Sequence, residues 1–330
     1  MNIAVIGAGS WGTTLADLLA RKGYRVQLWV RKQELLAEIR GKLENTWYLP
    51  GKKLASNLLV NHDIAAVTEG TSSFVFAVPS QHLRGIYEQF LPHLPKKPVV
   101  VCASKGIELG TLMTMSAVCN DVLGTIKPRF AMLSGPSFAY EVLRGAPTAV
   151  SLGCTEKKVG QDLQETFSTN AFRVYYNKDV KGVELGGALK NIIAIAAGVA
   201  DGLGFGSNAR AALITRGLVE MARLGKALGA DPRTFHGLSG VGDLVLTCTG
   251  DMSRNRQVGL RLGKGQKLLD ILASMTMVAE GVKTSEAVYN LGQKTGQELP
   301  ITNEVYNILY NEKDPAQAVT DLMTRALKEE

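Results

Sequence analysis

The segment Gly7-Ala8-Gly9-Ser10-Trp11-Gly12 limits what this chain can fold into more than any other. It follows an apolar run at residues 2–6 and precedes residues 13–21, where apolar side chains recur at helical spacing until Gly23. Strand, glycine turn and helix in that order suit a dinucleotide. Gly7 permits the tight turn, Gly9 lets the backbone approach a pyrophosphate, and Gly12 lets the helix pack closely on the strand. The helix N-terminus then offers unpaired N–H groups and partial positive charge to the phosphates. A glycine motif alone also describes a flexible loop; the strand and helix on either side make dinucleotide binding the expectation.

Further apolar runs at residues 25–30, 74–78, 99–103 and 130–133 are bounded by glycine, proline or serine and separated by helix-like stretches such as 83–90; residues 148–152 and 172–176 add strands. This alternation predicts an α/β fold with an N-terminal Rossmann-type, mostly parallel sheet. Ligands bind such sheets beyond the carboxyl ends of the strands, where Val78-Pro79-Ser80, Ser104-Lys105-Gly106 and Ser134-Gly135-Pro136-Ser137 fall, so these three loops are expected to converge. From about residue 181 the strand patterns give way to helical stretches, among them 183–200 and 209–228, which predict an all-helical C-terminal domain. The expected domains are 1–180, binding NAD(P), and 181–330, helical and carrying substrate binding and catalysis; a length of 330 residues suits two cores.

Composition excludes several alternatives. The chain is 45% hydrophobic and 20% charged, as ordinary globular proteins are. Its most apolar run, residues 192–200, ends at Asp201 and reads as a buried helix segment rather than a bilayer span. Met1-Asn2 leads straight into a strand without a secretory signal pattern, which points to the cytosol. Cys102, Cys119, Cys154 and Cys248 are scattered without metal-ligand spacing, so buried reduced thiols and no metal are expected. The formal charge of +7 is dispersed and no nucleic-acid motif accompanies it; it suits steering of small phosphorylated substrates.

The second strand ends at Arg31-Lys32, where NAD-selective folds carry an acid for the ribose 2′-hydroxyl. Two cations favour a 2′-phosphate, hence NADP(H), with NAD(H) as the alternative and two solvated charges as the plain reading. In the helical half, Lys190 shares a helix face with Gly186, Gly187, Ala194 and Ala197, small residues that leave room for something else; a lysine snorkelling into water is the plainer reading. Downstream lie a glycine-dense loop ending in a carboxylate, Gly237-Leu238-Ser239-Gly240-Val241-Gly242-Asp243, and the run Ser253-Arg254-Asn255-Arg256. The latter supplies what a phosphoryl group needs, although a polar loop before a helix would look similar.

Together these motifs resemble the NAD(P)-dependent glycerol-3-phosphate dehydrogenases, particularly the bacterial biosynthetic type. The likeness covers nearly the whole chain through Gly7 to Gly12, Ala103-Ser104-Lys105-Gly106, Leu133-Ser134-Gly135-Pro136-Ser137, Leu189-Lys190-Asn191, Gly240-Val241-Gly242-Asp243-Leu244 and Ser253-Arg254-Asn255. The resemblance implies that Lys190 accepts the C2 hydroxyl proton, that Lys105 lies beside substrate and nicotinamide, and that Asp243, Asn191 and Thr247 surround the reacting carbon. It further implies that Gly135, Ser137, Ser253, Arg254 and Asn255 hold the substrate, with Arg254 also reaching the cofactor. Ser10, Trp11, Arg31, Lys32, Tyr48, Ala139, Val278 and Glu280 are the remaining cofactor positions it suggests. Trp11 stands where the family often has Tyr or Phe, and Ser137 where it often has Thr.

The expected reaction is the reversible reduction of dihydroxyacetone phosphate to sn-glycerol 3-phosphate for glycerophospholipid synthesis. A cofactor handles the hydride, so the protein must supply proton transfer. Burial, and Lys105 as a nearby cation, would disfavour the charged form of Lys190 when it acts as a base; in the reductive direction a protonated Lys190 would polarise the ketone and deliver the proton, with Asp243 orienting it. Two rivals stand beside this expectation, a related β-hydroxyacid dehydrogenase and a non-catalytic NAD(P)-sensing protein. A homodimer is compatible with an apolar helical domain, though no segment specifies one.

Overall fold

The computed structural model describes every residue except Lys328 and Glu330. By compactness the chain divides into two units: Met1–Lys105 with Met113–Glu184, and Gly106–Leu112 with Leu185–Glu330. The short segment Gly106–Leu112 thus groups with the helical residues, and its Ile107 is fully buried in their core.

The first unit holds β1 (Asn2–Ile6), β2 (Arg25–Trp29), β3 (Leu59–Asn61), β4 (Ser73–Phe76), β5 (Val99–Cys102), β6 (Arg129–Ser134), β7 (Thr148–Cys154) and β8 (Phe172–Asn177). They form one sheet in the order β3-β2-β1-β4-β5-β6-β7-β8, every neighbouring pair parallel except β6 and β7. Each expected strand is present. The three-residue β3 was not foreseen, being too short to carry a readable alternation.

Both faces of the sheet are buried, as a parallel sheet requires, and successive residues supply opposite cores. Ile3, Val5, Val99 and Val101 pack under the helices Ser10–Arg21, Gln33–Lys42 and Lys157–Phe167, which contribute Leu15, Leu19, Leu35, Ile39, Leu163 and Phe167. Ala4, Ile6, Val100 and Cys102 face Leu83, Tyr87, Phe90, Val118 and Leu123 from Leu83–Phe90 and Met115–Leu123.

Apart from the turn segment Gly106–Leu112 and the connections between helices, the described residues of the second unit are helical. Its central helix, Val180–Gly202, starts in the first unit and contains the apolar run expected at 192–200. The apolar stretch is longer than that run and, by length and composition, could cross a bilayer, yet 94% of its most apolar window is buried inside the protein. Gly198 and Gly202 on this helix, and Gly259 and Gly263 on Arg254–Gly263, let the two backbones approach closely, Gly202 against Gly263, Gly198 against Arg256 and Leu260, and Gly259 against Ile195 and Val199. A Cβ on Gly198 would lie 2.0 Å from the Arg256 carbonyl oxygen, and one on Gly259 2.0 Å from that of Ile195.

Candidate active site

In the first unit the glycine turn has the geometry its sequence demands. Gly7 has φ +110°, and a Cβ on Gly12 would sit 1.9 Å from the Gly7 carbonyl oxygen, so both positions need glycine. A Cβ on Gly9 would meet nothing within 4 Å, which leaves open space against its backbone. Helix Ser10–Arg21 begins after Gly9 with no side-chain cap and no acid in its first turn, so its leading N–H groups are available to an anion. Trp11 packs against Phe172, with ring centroids 6.3 Å apart, and its buried indole Nε1 has no hydrogen-bond partner. An open approach at Gly9, an uncapped helix N-terminus and an orphaned indole donor all fit a bound dinucleotide pyrophosphate.

Other expected cofactor positions surround this turn. Thr14 Oγ1 donates to the Ala139 carbonyl over 3.2 Å, bringing Ala139 against the same helix. Asn45, fully buried, donates to the Ala8 carbonyl over 3.0 Å and to Thr13 Oγ1 over 2.8 Å, while its own Oδ1 accepts the Tyr48 N–H over 3.3 Å. Asn45 therefore ties the Tyr48 loop to the glycine turn. It was missed because a single Asn inside a loop carries no spacing signal. Arg31 and Lys32 are exposed just beyond β2, with the Lys32 ammonium 5.0 Å from the centre of the Trp47 ring.

The three loops beyond β4, β5 and β6 do converge. Ser104 Oγ donates to the Val78 carbonyl over 2.5 Å, and Lys105 Nζ and Ser137 Oγ both donate to the Gly135 carbonyl over 3.0 Å. Gly135 has φ +141°, and a Cβ there would approach Val150 Cα to 2.9 Å. Glycine is thus what lets this loop turn tightly enough to meet Lys105.

In the second unit Lys190 is buried, not snorkelling. Its Nζ donates to Asp243 Oδ1 over 2.6 Å and to Thr247 Oγ1 over 2.8 Å, and Thr247 Oγ1 in turn donates to the Asp243 carbonyl over 2.6 Å. The room expected beside Lys190 is filled at Gly186 by the chain itself: a Cβ there would lie 2.3 Å from the Ser239 carbonyl oxygen. That close approach delivers Asp243. The glycine-dense stretch is not a loop but a π-helical turn, Leu238–Gly242, continuing directly into helix Asp243–Thr249.

Ser253-Arg254-Asn255 is a helix start. Ser253 caps Arg254–Gly263 by accepting the Arg256 N–H over 3.2 Å, and Arg254 Nη1 donates to the Val278 carbonyl over 2.7 Å, placing Arg254 beside the expected positions Val278 and Glu280. Asn255 Nδ2 donates to Asn191 Oδ1 over 2.9 Å and its Oδ1 accepts the Gly281 N–H over 2.9 Å. The Asn255 amide is thus engaged on both sides within the protein.

Burial pushes the Cys119 and Cys248 thiols up to about 12 and raises Cys102 and Cys154 as well, so none of the four is poised as a nucleophile. Among the described residues no three His, Cys, Asp or Glu side chains group to hold a metal.

The family model for the N-terminus of NAD-dependent glycerol-3-phosphate dehydrogenase matches residues 2–160, and that for its C-terminus matches residues 179–320. A glycerol-3-phosphate dehydrogenase [NAD(P)+] from Solidesulfovibrio magneticus is 70% identical over 330 residues, covering 100% of both chains, and one from Maridesulfovibrio salexigens is 58% identical over the same extent. The crystal structure of glycerol-3-phosphate dehydrogenase from Coxiella burnetii superposes with a TM-score of 0.95 at 42% identity, covering 98% of this chain and 99% of that one.

Proposed function

From the premise that this chain belongs to the NAD-dependent glycerol-3-phosphate dehydrogenase family, we propose that it reduces dihydroxyacetone phosphate reversibly to sn-glycerol 3-phosphate, with NADP(H) preferred over NAD(H), and that Lys190 transfers the proton. The observation that carries this reading is the buried cluster of Lys190, Asp243 and Thr247.

Bound cofactor supplies the hydride for C2. Lys190 delivers the balancing proton to the ketone oxygen and is recharged from solvent; in oxidation it takes the proton from the C2 hydroxyl. A carboxylate 2.6 Å away favours the ammonium form and opposes the effect of burial. In the reductive direction the pair presents an acid to the ketone, with Asp243 orienting the Lys190 ammonium. Thr247 holds both partners and restricts their rotation.

The phosphoryl group of the substrate is assigned to Ser253, Arg254 and the backbone N–H of Asn255, where a helix N-terminus and a guanidinium offer positive charge. Lys105, Gly135, Ser137 and Asn191 complete the substrate set that the family implies. Ser10, Trp11, Arg31, Lys32, Tyr48, Ala139, Val278 and Glu280 complete the cofactor set. The product would supply the glycerol backbone of glycerophospholipids. Four free, buried thiols support a reducing, cytosolic setting. A homodimer belongs to the same reading and is tested by light scattering. The deciding assay for function follows NADPH and NADH oxidation with dihydroxyacetone phosphate; no oxidation of either would overturn the reading.

A further inference from the structure

Asp201 lies on the same helix as Lys190, eleven residues and about three turns further on, and so on the same face. Its side chain is buried, with one oxygen 2.5 Å from Arg210 Nη2 and the other accepting Arg256 Nε over 2.8 Å. Arg256 is itself largely buried and reaches exposed Asp251 over 2.8 Å with a second nitrogen. Nothing in the proposed chemistry uses this network.

Its position supplies a use. The start of helix Arg254–Gly263 is tied to helix Val180–Gly202 at three places: Asn255 to Asn191, the glycine crossing at Gly198 and Gly259, and Arg256 to Asp201. Asn191 and Asp201 are ten residues, about 15 Å, apart along one helix, whereas Asn255 and Arg256 are adjacent. The two side-chain ties therefore pull in opposite directions along the Lys190 helix and prevent the other helix from sliding or rolling over the glycine contact. Two helices in backbone contact have no intervening side chains to take up a shift, so the ties set the span from the helix start to Lys190.

We infer that Asp201 and Arg256 are positioning residues that fix this span and so select a ketone whose phosphoryl group lies one carbon beyond the reacting carbonyl. The inference rests on the assignment of the phosphoryl group to Ser253, Arg254 and Asn255. A binding group held off its place by about 1 Å can cost about 10²-fold in rate.

The test compares dihydroxyacetone phosphate with unphosphorylated dihydroxyacetone, which cannot use the phosphate grip. In Asp201→Asn, kcat/KM for the phosphorylated ketone is expected to fall about 10²-fold, while the slow rate with dihydroxyacetone is unchanged. Arg256→Lys keeps the charge but cannot fork to two carboxylates, and should show an intermediate loss confined to the phosphorylated ketone; it carries the same comparison if Asp201→Asn does not fold. Equal losses with both ketones, as a general structural defect would give, overturn the inference, as does full activity with dihydroxyacetone phosphate. A wild-type enzyme that reduces both ketones equally well would instead overturn the phosphate assignment and this inference with it.

Discussion

Lys190 Nζ and Asp243 Oδ1 lie 2.6 Å apart, both buried, although 53 residues separate them in sequence. One comes from the middle of a long apolar helix, the other from the first residue of a short helix behind a π-helical turn. An ion pair with so little water around it is costly to break from one side, because the remaining charge stays buried and unpaired.

Lys190→Ala should therefore lower kcat by about 10³-fold or more, on the scale of a lost general acid, while the NADPH Kd measured by fluorescence stays near wild type. Asp243→Asn keeps a hydrogen-bond acceptor but removes the charge and should lose less, about 10- to 10²-fold, mainly in kcat. Near-normal turnover in Lys190→Ala would remove that residue from its role.

Two glycines of one motif should respond differently to the same methyl group. Gly12→Ala drives a Cβ to 1.9 Å from a backbone oxygen and should destabilise the protein by about 2–3 kcal/mol, seen as a lower Tm. Gly9→Ala meets open space and should leave Tm nearly unchanged, yet raise the NADPH Kd by about tenfold or more by blocking the pyrophosphate. Unaltered NADPH affinity in Gly9→Ala would mean that no phosphate approaches there.

Cofactor choice is tested at the end of β2. Arg31→Ala/Lys32→Ala should weaken NADPH binding by about 10- to 10²-fold and leave NADH almost untouched, since a lost charge-assisted contact to a 2′-phosphate is worth about 1.5–3 kcal/mol. Equal effects on the two cofactors would assign both residues to general electrostatics.

Stability should depend on pH through two buried carboxyls that cap helices. Glu184 accepts the N–H and the hydroxyl of Ser116, and Glu220 accepts the N–H groups of Ile301 and Thr302; burial raises both from 4.5 to about 7. In the folded protein they hold protons that the unfolded chain has already released above 4.5, so their contribution is full below that pH and is lost as pH rises toward about 7. Glu220→Gln cannot ionise. Its Tm relative to wild type should rise between pH 5 and pH 8 and level off beyond; parallel Tm profiles would show that Glu220 does not titrate in this window.

Much of the architecture was legible because it depends on near neighbours. Period-two apolar runs, helical spacing and the demand for glycine at Gly7 and Gly12 are local properties, so the sheet, the helical half and the nucleotide turn followed from them. The resemblance named Lys190, Asp243 and Ser253-Arg254-Asn255 by their parts toward substrate and cofactor, and Asp243 was expected to orient Lys190, but the partners of Ser253, Arg254 and Asn255 within the protein were not foreseen. Asn45 and the helix-capping carboxyls Glu184 and Glu220 left no pattern at all.

By itself, then, the sequence determined the elements, their order and the residue types able to bind a dinucleotide and transfer a proton. Only the tertiary structure decided that the space beside Lys190 is taken up by the Ser239 backbone, that Asp243 is thereby delivered to its ammonium, and that Asn255 spends its amide on Asn191 and Gly281. The reason is physical. Secondary structure reflects steric and hydrogen-bonding preferences over a few residues, whereas the partner of a buried polar group is set by which distant backbone can approach closely enough to exclude water from it.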